Sequence, residues 1–304
     1  MSVVLLGPQR KPSVGPVVRS MDLPGRVATI TAGWQEREPD DAELDQQLGA
    51  PGLNLSLYAR WLDVLERDPE FATAERRLRA LLDEVQEVYL VRLDHALRAV
   101  YAIARRGGNV LLQADALTEA IAAVREVDTR HLRRISDIHE EYYTTCPPHE
   151  RPVIAEHRAA VAQRLHDTSA LVITGGHVGV LVATLHLFNV AAALRSPVIA
   201  WSAGAMALTD RVVLFHDRAA QGPGHPELYG SGLSLLRGVV ALPHAGARLL
   251  LADSTRMAVF ARRFAPARCI PLEAGGRVDV NGDTLPPGTR VLGEDGRVRV
   301  LEAA

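Results

Sequence analysis

Three residues that together can activate a hydroxyl lie in the second half of the chain. They are Ser202, Asp217 fifteen residues later and His244 forty-two residues later. A serine hydroxyl is a poor nucleophile until a histidine takes its proton, and a carboxylate orients that histidine and stabilises its charged form. Ser202 sits in Val198-Ile199-Ala200-Trp201-Ser202-Ala203-Gly204-Ala205, an apolar run ending in a serine among small residues. A nucleophile on a sharp strand-to-helix turn needs such neighbours, because the turn strains the backbone and bulky Cβ groups would clash. The turn also aims the backbone N–H of Ala203 where an oxyanion would sit. Gly175-Gly176, after the apolar run 170–174, can bring a second N–H beside it because neither glycine carries a Cβ. Each feature alone has an ordinary reading: small residues that pack closely, a capped loop histidine, an aspartate in a turn, a glycine pair between strand and helix. Their co-occurrence in one half of the chain points to acyl-transfer chemistry.

The elements that must position these residues follow from periodicity. Apolar runs at 3–6, 26–31, 170–174, 198–201, 212–215 and 239–242 read as short strands, the later ones ending at Gly175, Ser202, His216-Asp217 and His244. Ends of parallel strands on one sheet edge converge, which lets distant side chains meet. Residues 7–16 read as a Gly/Pro-rich loop, the acidic stretch 35–45 as a solvated loop or helix start, and 179–194 as one apolar helix. Residues 277–280 and 297–301 read as small C-terminal strands or hairpins. From 55 to 167 the pattern is helical. Leu78, Leu81, Leu82, Val85, Tyr89, Leu93, Leu97 and Tyr101 form one stripe, and Leu117, Ile121, Val124, Leu132, Ile135 and Ile138 a second. Gly107-Gly108-Asn109 between the stripes predicts an antiparallel helical hairpin. The whole predicts an α/β fold, a mostly parallel sheet flanked by helices on both faces, with a long helical insertion. The division is 1–54 as the first part of the α/β domain, 55–168 as insertion or subdomain, and 169–304 as the catalytic part. Helices this long need a surface to bury their stripe. A homodimer through the insertion is the expectation, with a lid over the site as the alternative.

Composition narrows the function classes. The 304 residues are 47% hydrophobic, enough for one large or two small domains. A net charge of −2 offers no global electrostatic case for nucleic acid or an anionic membrane. Lys11 is the single lysine, so Schiff-base or Ser-Lys chemistry is excluded as a general scheme. Cys146 and Cys269 form no CxxC and read as reduced bystanders. His131 and His139 lack a metal-protease spacing, and neither metal nor cofactor is expected. The N-terminal apolar run is too short for a signal peptide and no run reaches the ~18 residues of a membrane span, so a cytoplasmic protein is expected.

The segment Ala200-Trp201-Ser202-Ala203-Gly204-Ala205 is preceded by Val172-Ile173-Thr174-Gly175-Gly176-His177. It is followed by a Gly232-Leu-Ser-Leu-Leu-Arg-Gly stretch that leads to His244. Together these resemble the peptidase E (aspartyl dipeptidase) and cyanophycinase family of serine peptidases. The resemblance spans roughly 171–280. It implies a class I glutamine amidotransferase-like, flavodoxin-like fold. It also implies Ser202 as nucleophile, His244 as general base, Asp217 as the acidic partner, and Gly176 and Ala203 as oxyanion donors. His177 stands where the family usually has Asn, which places it and Gly175 among the substrate-binding candidates. The family cleaves next to aspartate, so an arginine near Ser202 is expected; Arg211 and Arg248 are the candidates, each otherwise a surface arginine. His216 and His225 add a histidine cluster. The expected activity is a serine hydrolase cleaving a small peptide or amide, aspartyl bonds included, through an acyl-enzyme. The alternative is a non-catalytic amidotransferase-like module that binds a small ligand or protein partner. An ordinary α/β-hydrolase spaces its triad farther apart, and glutaminase relatives use a cysteine that neither Cys146 nor Cys269 supplies.

Overall fold

The computed structural model describes residues 2–9, 13–49, 52–218, 224–282 and 284–302. Lys11 and Asp283, with parts of the 7–16 loop and of the 281–283 turn, lie outside the described residues. Five strands run parallel in the main sheet: β1 (Ser2–Leu6), β2 (Val27–Ile30), β3 (Leu53–Asn54), β4 (Ala170–Ile173) and β5 (Val198–Trp201), in the order β1-β5-β4-β2-β3. Alternate residues of each strand point to opposite faces, and the sequence supplies apolar side chains on both. Leu5, Ile30, Ile173 and Ala200 enter one core, while Leu6, Val172, Ile199 and Trp201 enter another. Helices α1 (Val14–Ser20) and α2 (Ala42–Leu48) cover the second face through Val14, Val17 and Leu44. The first face is covered by α3 (Leu57–Arg67) and, beyond a helical hairpin, by later helices.

That hairpin is α4 (Pro69–Ala104) and α5 (Val110–Thr145), two helices of 36 residues. Asp68 caps α4 by accepting from the Phe71 N–H at 3.0 Å, and Asn109 caps α5 by accepting from Leu111 and Leu112. The chain returns to the sheet in α6 (Pro152–His166), α7 (Val178–Leu187) and α8 (Val190–Ala193). Ile154, Val161, Leu181 and Leu185 pack there with Leu57 and Val64 of α3. After β5 come α9 (Ala203–Ala207), then β6 (Val212–Leu214) and β7 (Glu227–Gly230), which pair with each other as an antiparallel ribbon. β8 (Val239–Pro243) leads through α10 (Ala245–Arg248) and α11 (Ser254–Phe264) to β9 (Arg268–Leu272), parallel to β8. β10 (Arg277–Asn281) runs antiparallel to β1 and forms one edge of the main sheet. β11 (Arg290–Leu292) and β12 (Val298–Val300) extend the β8–β9 sheet. The α/β class with a mostly parallel sheet between helices is as expected. Among the described residues, no helix is long and apolar enough to cross a membrane.

Several local expectations change. Residues 14–16 belong to α1, because Pro16 sits in a first turn, where a missing N–H costs nothing. The helix expected over 179–194 breaks at Asn189, whose φ is 51°. Strand 277–280 is no local hairpin but an edge of the main sheet. Glu38, in the stretch expected to be solvated, is 2% exposed. Its carboxylate accepts from the N–H groups of Tyr58 and Ala59 at the start of α3 (3.0 and 2.8 Å), and burial pushes its pKa up.

The middle of each hairpin stripe is buried within the chain, while Leu81, expected in the first stripe, is exposed because it lies toward the solvent side of α4. Tyr89, Leu93, Leu97, Ile121 and Val124 share a core with Phe215, Leu228, Leu242, Phe260 and Phe264. This third core lies beneath the ribbon and the β8–β9 sheet. Val88 and Val91 of α4, and Val110, Leu111 and Leu112 at the start of α5, remain exposed.

Candidate active site

Ser202 follows the last residue of β5 and precedes α9, with φ 50° and ψ −124°. This region is rarely occupied by a side-chain-bearing residue, and it throws the hydroxyl forward off the sheet edge. The Ser202 Oγ lies 3.2 Å from His244 Nε2. His244 follows β8, also at positive φ (57°), and its N–H donates to the Leu272 carbonyl at the end of β9. The two residues therefore come from different sheets. Convergence along the edge of one parallel sheet, the expectation above, is corrected here: among the described residues β8 pairs with β9 and not with the main sheet, and β6 pairs only with β7.

The glycine pair stands where β4 ends. A Cβ on Gly175 would lie 2.8 Å from the Ser202 Cβ, so glycine is what permits the elbow to sit against this turn. Gly176 has φ +118°, and a Cβ there would meet the Gly33 carbonyl oxygen at 2.2 Å. Gly33 also accepts the His177 N–H at 2.7 Å. The segment after β2 thus holds the turn from behind, a role for Gly33 that sequence reasoning did not assign. Gly176 and Ala203 both line the pocket in front of Ser202.

That pocket has a volume of about 640 Å³. The elbow and Gly176 form one side, Pro243, His244 and Arg248 another, and the ends of the β6–β7 ribbon a third. Arg248 lies at its exposed rim. Arg211 does not line the pocket, and its guanidinium stands 3.7 Å from Asp210. His177 caps α7, with its Nδ1 accepting from the Val180 N–H at 3.2 Å, and is likewise absent from the lining.

Asp217 is buried beside the pocket wall. One carboxylate oxygen accepts from Arg256 at 2.6 Å and the other from the Leu250 N–H at 3.0 Å, while its own N–H donates to the Arg248 carbonyl at 2.7 Å. These bonds tie it to the turn 248–250, which directly follows the helix begun by His244. Arg256 also donates to the Gly224 carbonyl, so Asp217 and Arg256 together join residues 217 and 224 of the ribbon connection.

The hairpin reaches this wall too, which the sequence pattern did not reveal. His225 lines the pocket, stacks on Tyr101 of α4 and lies 3.4 Å from Asp94. Burial, then the nearby Arg256 guanidinium, hold its pKa down. Gln86 of α4 donates to the Glu227 carboxylate and to the Leu228 carbonyl, both at 3.2 Å. Behind these, Arg263 of α11 donates twice to Asp128 of α5 at 2.7 Å and once to the Tyr89 hydroxyl at 2.9 Å. Tyr89 accepts from the Leu228 N–H, and Arg263 donates to the Pro226 carbonyl. The only sequence hint of this network was a set of polar residues on otherwise apolar helix faces. Among the described residues no three His, Cys, Asp or Glu side chains gather as a metal site would need.

No family model matches the chain, and no curated protein matches it. Among solved structures, a peptidase from an acI-B1 actinobacterium is similar with a TM-score of 0.49 at 12% identity, covering 99% of this chain and 94% of that one. A candidate peptidase E protein from Listeria monocytogenes EGD-e is similar with a TM-score of 0.31 at 15% identity, covering 44% of this chain and 65% of that one.

Proposed function

We propose that the chain is a serine hydrolase of the peptidase E–cyanophycinase type that cleaves a small peptide or amide. The observation that supports this reading best is the approach of the Ser202 hydroxyl to His244 Nε2 at 3.2 Å on a strained elbow facing a pocket. In this reading His244 Nε2 takes the hydroxyl proton as Ser202 Oγ attacks the substrate carbonyl carbon. The N–H groups of Gly176 and Ala203 hold the negative oxygen of the tetrahedral intermediate. The imidazolium returns its proton to the leaving amine, the C–N bond breaks, and an acyl group remains on Ser202. Water activated by the same histidine then releases it. Asp217 is the acidic member of the set, and its bonds to Leu250 and Arg248 anchor the far end of the short helix that His244 begins. Arg248 at the rim is the candidate for a substrate carboxylate. Arg211 and His177, which lie off the pocket lining, are proposed to act only through a substrate that extends beyond it. The exposed face of the hairpin remains the proposed homodimer contact.

The test is labelling by a fluorophosphonate, which reacts with an activated serine and needs no known substrate. Wild-type protein is expected to label at Ser202, and Ser202→Ala to lose the label with an unchanged circular dichroism spectrum. A folded wild-type protein that takes up no label would turn the assignment toward a non-catalytic binding module.

A further inference from the structure

The pocket holds an acidic side chain that the proposed catalytic set does not use. Glu227 opens β7, opposite Leu214 of β6, and both line the space in front of Ser202. Its one side-chain donor among the described residues is the neutral amide of Gln86, on one oxygen. The neighbouring cations are engaged elsewhere. Arg263 pairs with Asp128, Arg256 with Asp217, and His225 faces Asp94. A half-buried carboxylate with a single neutral donor is poorly compensated, because desolvation weakens its hydration and the Arg263 guanidinium, committed to Asp128, offsets that only in part. Burial accordingly pushes the Glu227 pKa up. A ligand that brings a cation to the open carboxylate oxygen supplies the missing partner through a charge-assisted bond.

We propose that Glu227 is the recognition group for a cationic nitrogen of the substrate, an ammonium or guanidinium carried near the bond that Ser202 attacks. The assignment rests on the reading of Ser202 as the nucleophile. Arg248 lines the same pocket with the opposite charge. An amino-acid-derived amide or short peptide, with a cationic nitrogen at one end and an acceptor at the other, matches both. The helical hairpin then takes part in specificity, since Gln86 of α4 holds the Glu227 carboxylate in place.

Calorimetric titration tests this without turnover. Three probes separate the two sources of cation: N-acetylargininamide carries the guanidinium alone, alaninamide the α-ammonium alone, and N-acetylalaninamide neither. At least one cationic probe is expected to bind wild type about tenfold or more tighter than the neutral one. Glu227→Gln, which keeps a partner for Gln86, is expected to erase that preference while leaving melting temperature and neutral-probe binding unchanged. Equal binding of all three probes to wild type, or a preference that survives in Glu227→Gln, overturns the proposal. Fluorophosphonate labelling runs in parallel. Labelled Ser202 without Glu227-dependent binding overturns the role of Glu227 alone, whereas Glu227-dependent binding without labelling overturns the hydrolase reading alone.

Discussion

Both residues of the Ser202–His244 pair hold positive φ, at 50° and 57°. Such backbones persist only where surrounding contacts over-determine them, at about 1–3 kcal/mol each. At Ser202 the close neighbour is Gly175, where a single added methyl group would meet the serine Cβ at 2.8 Å. Gly175→Ala is therefore expected to fold, with about 1–3 kcal/mol lost to overpacking. Its fluorophosphonate labelling rate should fall by about 10²-fold, the size of effect that a displacement near 1 Å produces at a reacting centre. Urea unfolding and labelling kinetics on the same sample check the two halves of that expectation. A rate equal to wild type would show that the elbow has room the geometry denies it.

At the scale of elements, the hairpin is joined to the ribbon by a buried polar cluster of Arg263, Asp128 and Tyr89. Both ends of the ion pair are buried, with Arg263 3% and Asp128 6% exposed. Removing one charge leaves the other unmatched in the interior, at about 3–5 kcal/mol. Arg263→Met is expected to lower the unfolding free energy measured in urea by that amount, and the double variant Arg263→Met/Asp128→Leu by clearly less than the sum of the singles. Additive losses in that cycle would mean that the pair acts independently. The cluster also marks where sequence and fold part company. Ser202 was legible because an elbow is local, an apolar strand, small neighbours and a polar residue standing consecutively in the chain, and Gly175 and His244 were legible because each closes an apolar strand run. Asp128 and Arg263 are 135 residues apart, and nothing in the stripe that carries Asp128 indicates that it will meet Arg263. β7 was missed because Glu227-Leu-Tyr-Gly230 is too short for alternation to register. The partners of Asp217 are likewise long-range: Arg256 lies on a helix that the periodicity did not single out.

At the scale of the molecule, the nucleophile and its base belong to two sheets, with two of the three apolar cores behind them. Their 3.2 Å approach depends on how the two sheets are seated against each other. Contacts between α9 and β8 join the halves. In a urea titration, labelling of Ser202 is expected to disappear at a lower concentration than helical circular dichroism, because a small shift between sheets breaks the pair before either core melts. Coincident curves would show that the two cores unfold as one unit.

The split between sheets also sets an order in time. During synthesis the elbow is complete once residue 207 has been made, and the five parallel strands are then all present. His244 comes later, and the strand that holds its N–H, β9, ends only at Leu272. A growing chain would thus carry its serine for some 65 residues (272 − 207) without a seated base. Seating of His244 therefore waits for the completion of β9, and a ribosome-bound fragment stopped before Arg268 would carry the Ser202 elbow without the strand that holds its partner histidine.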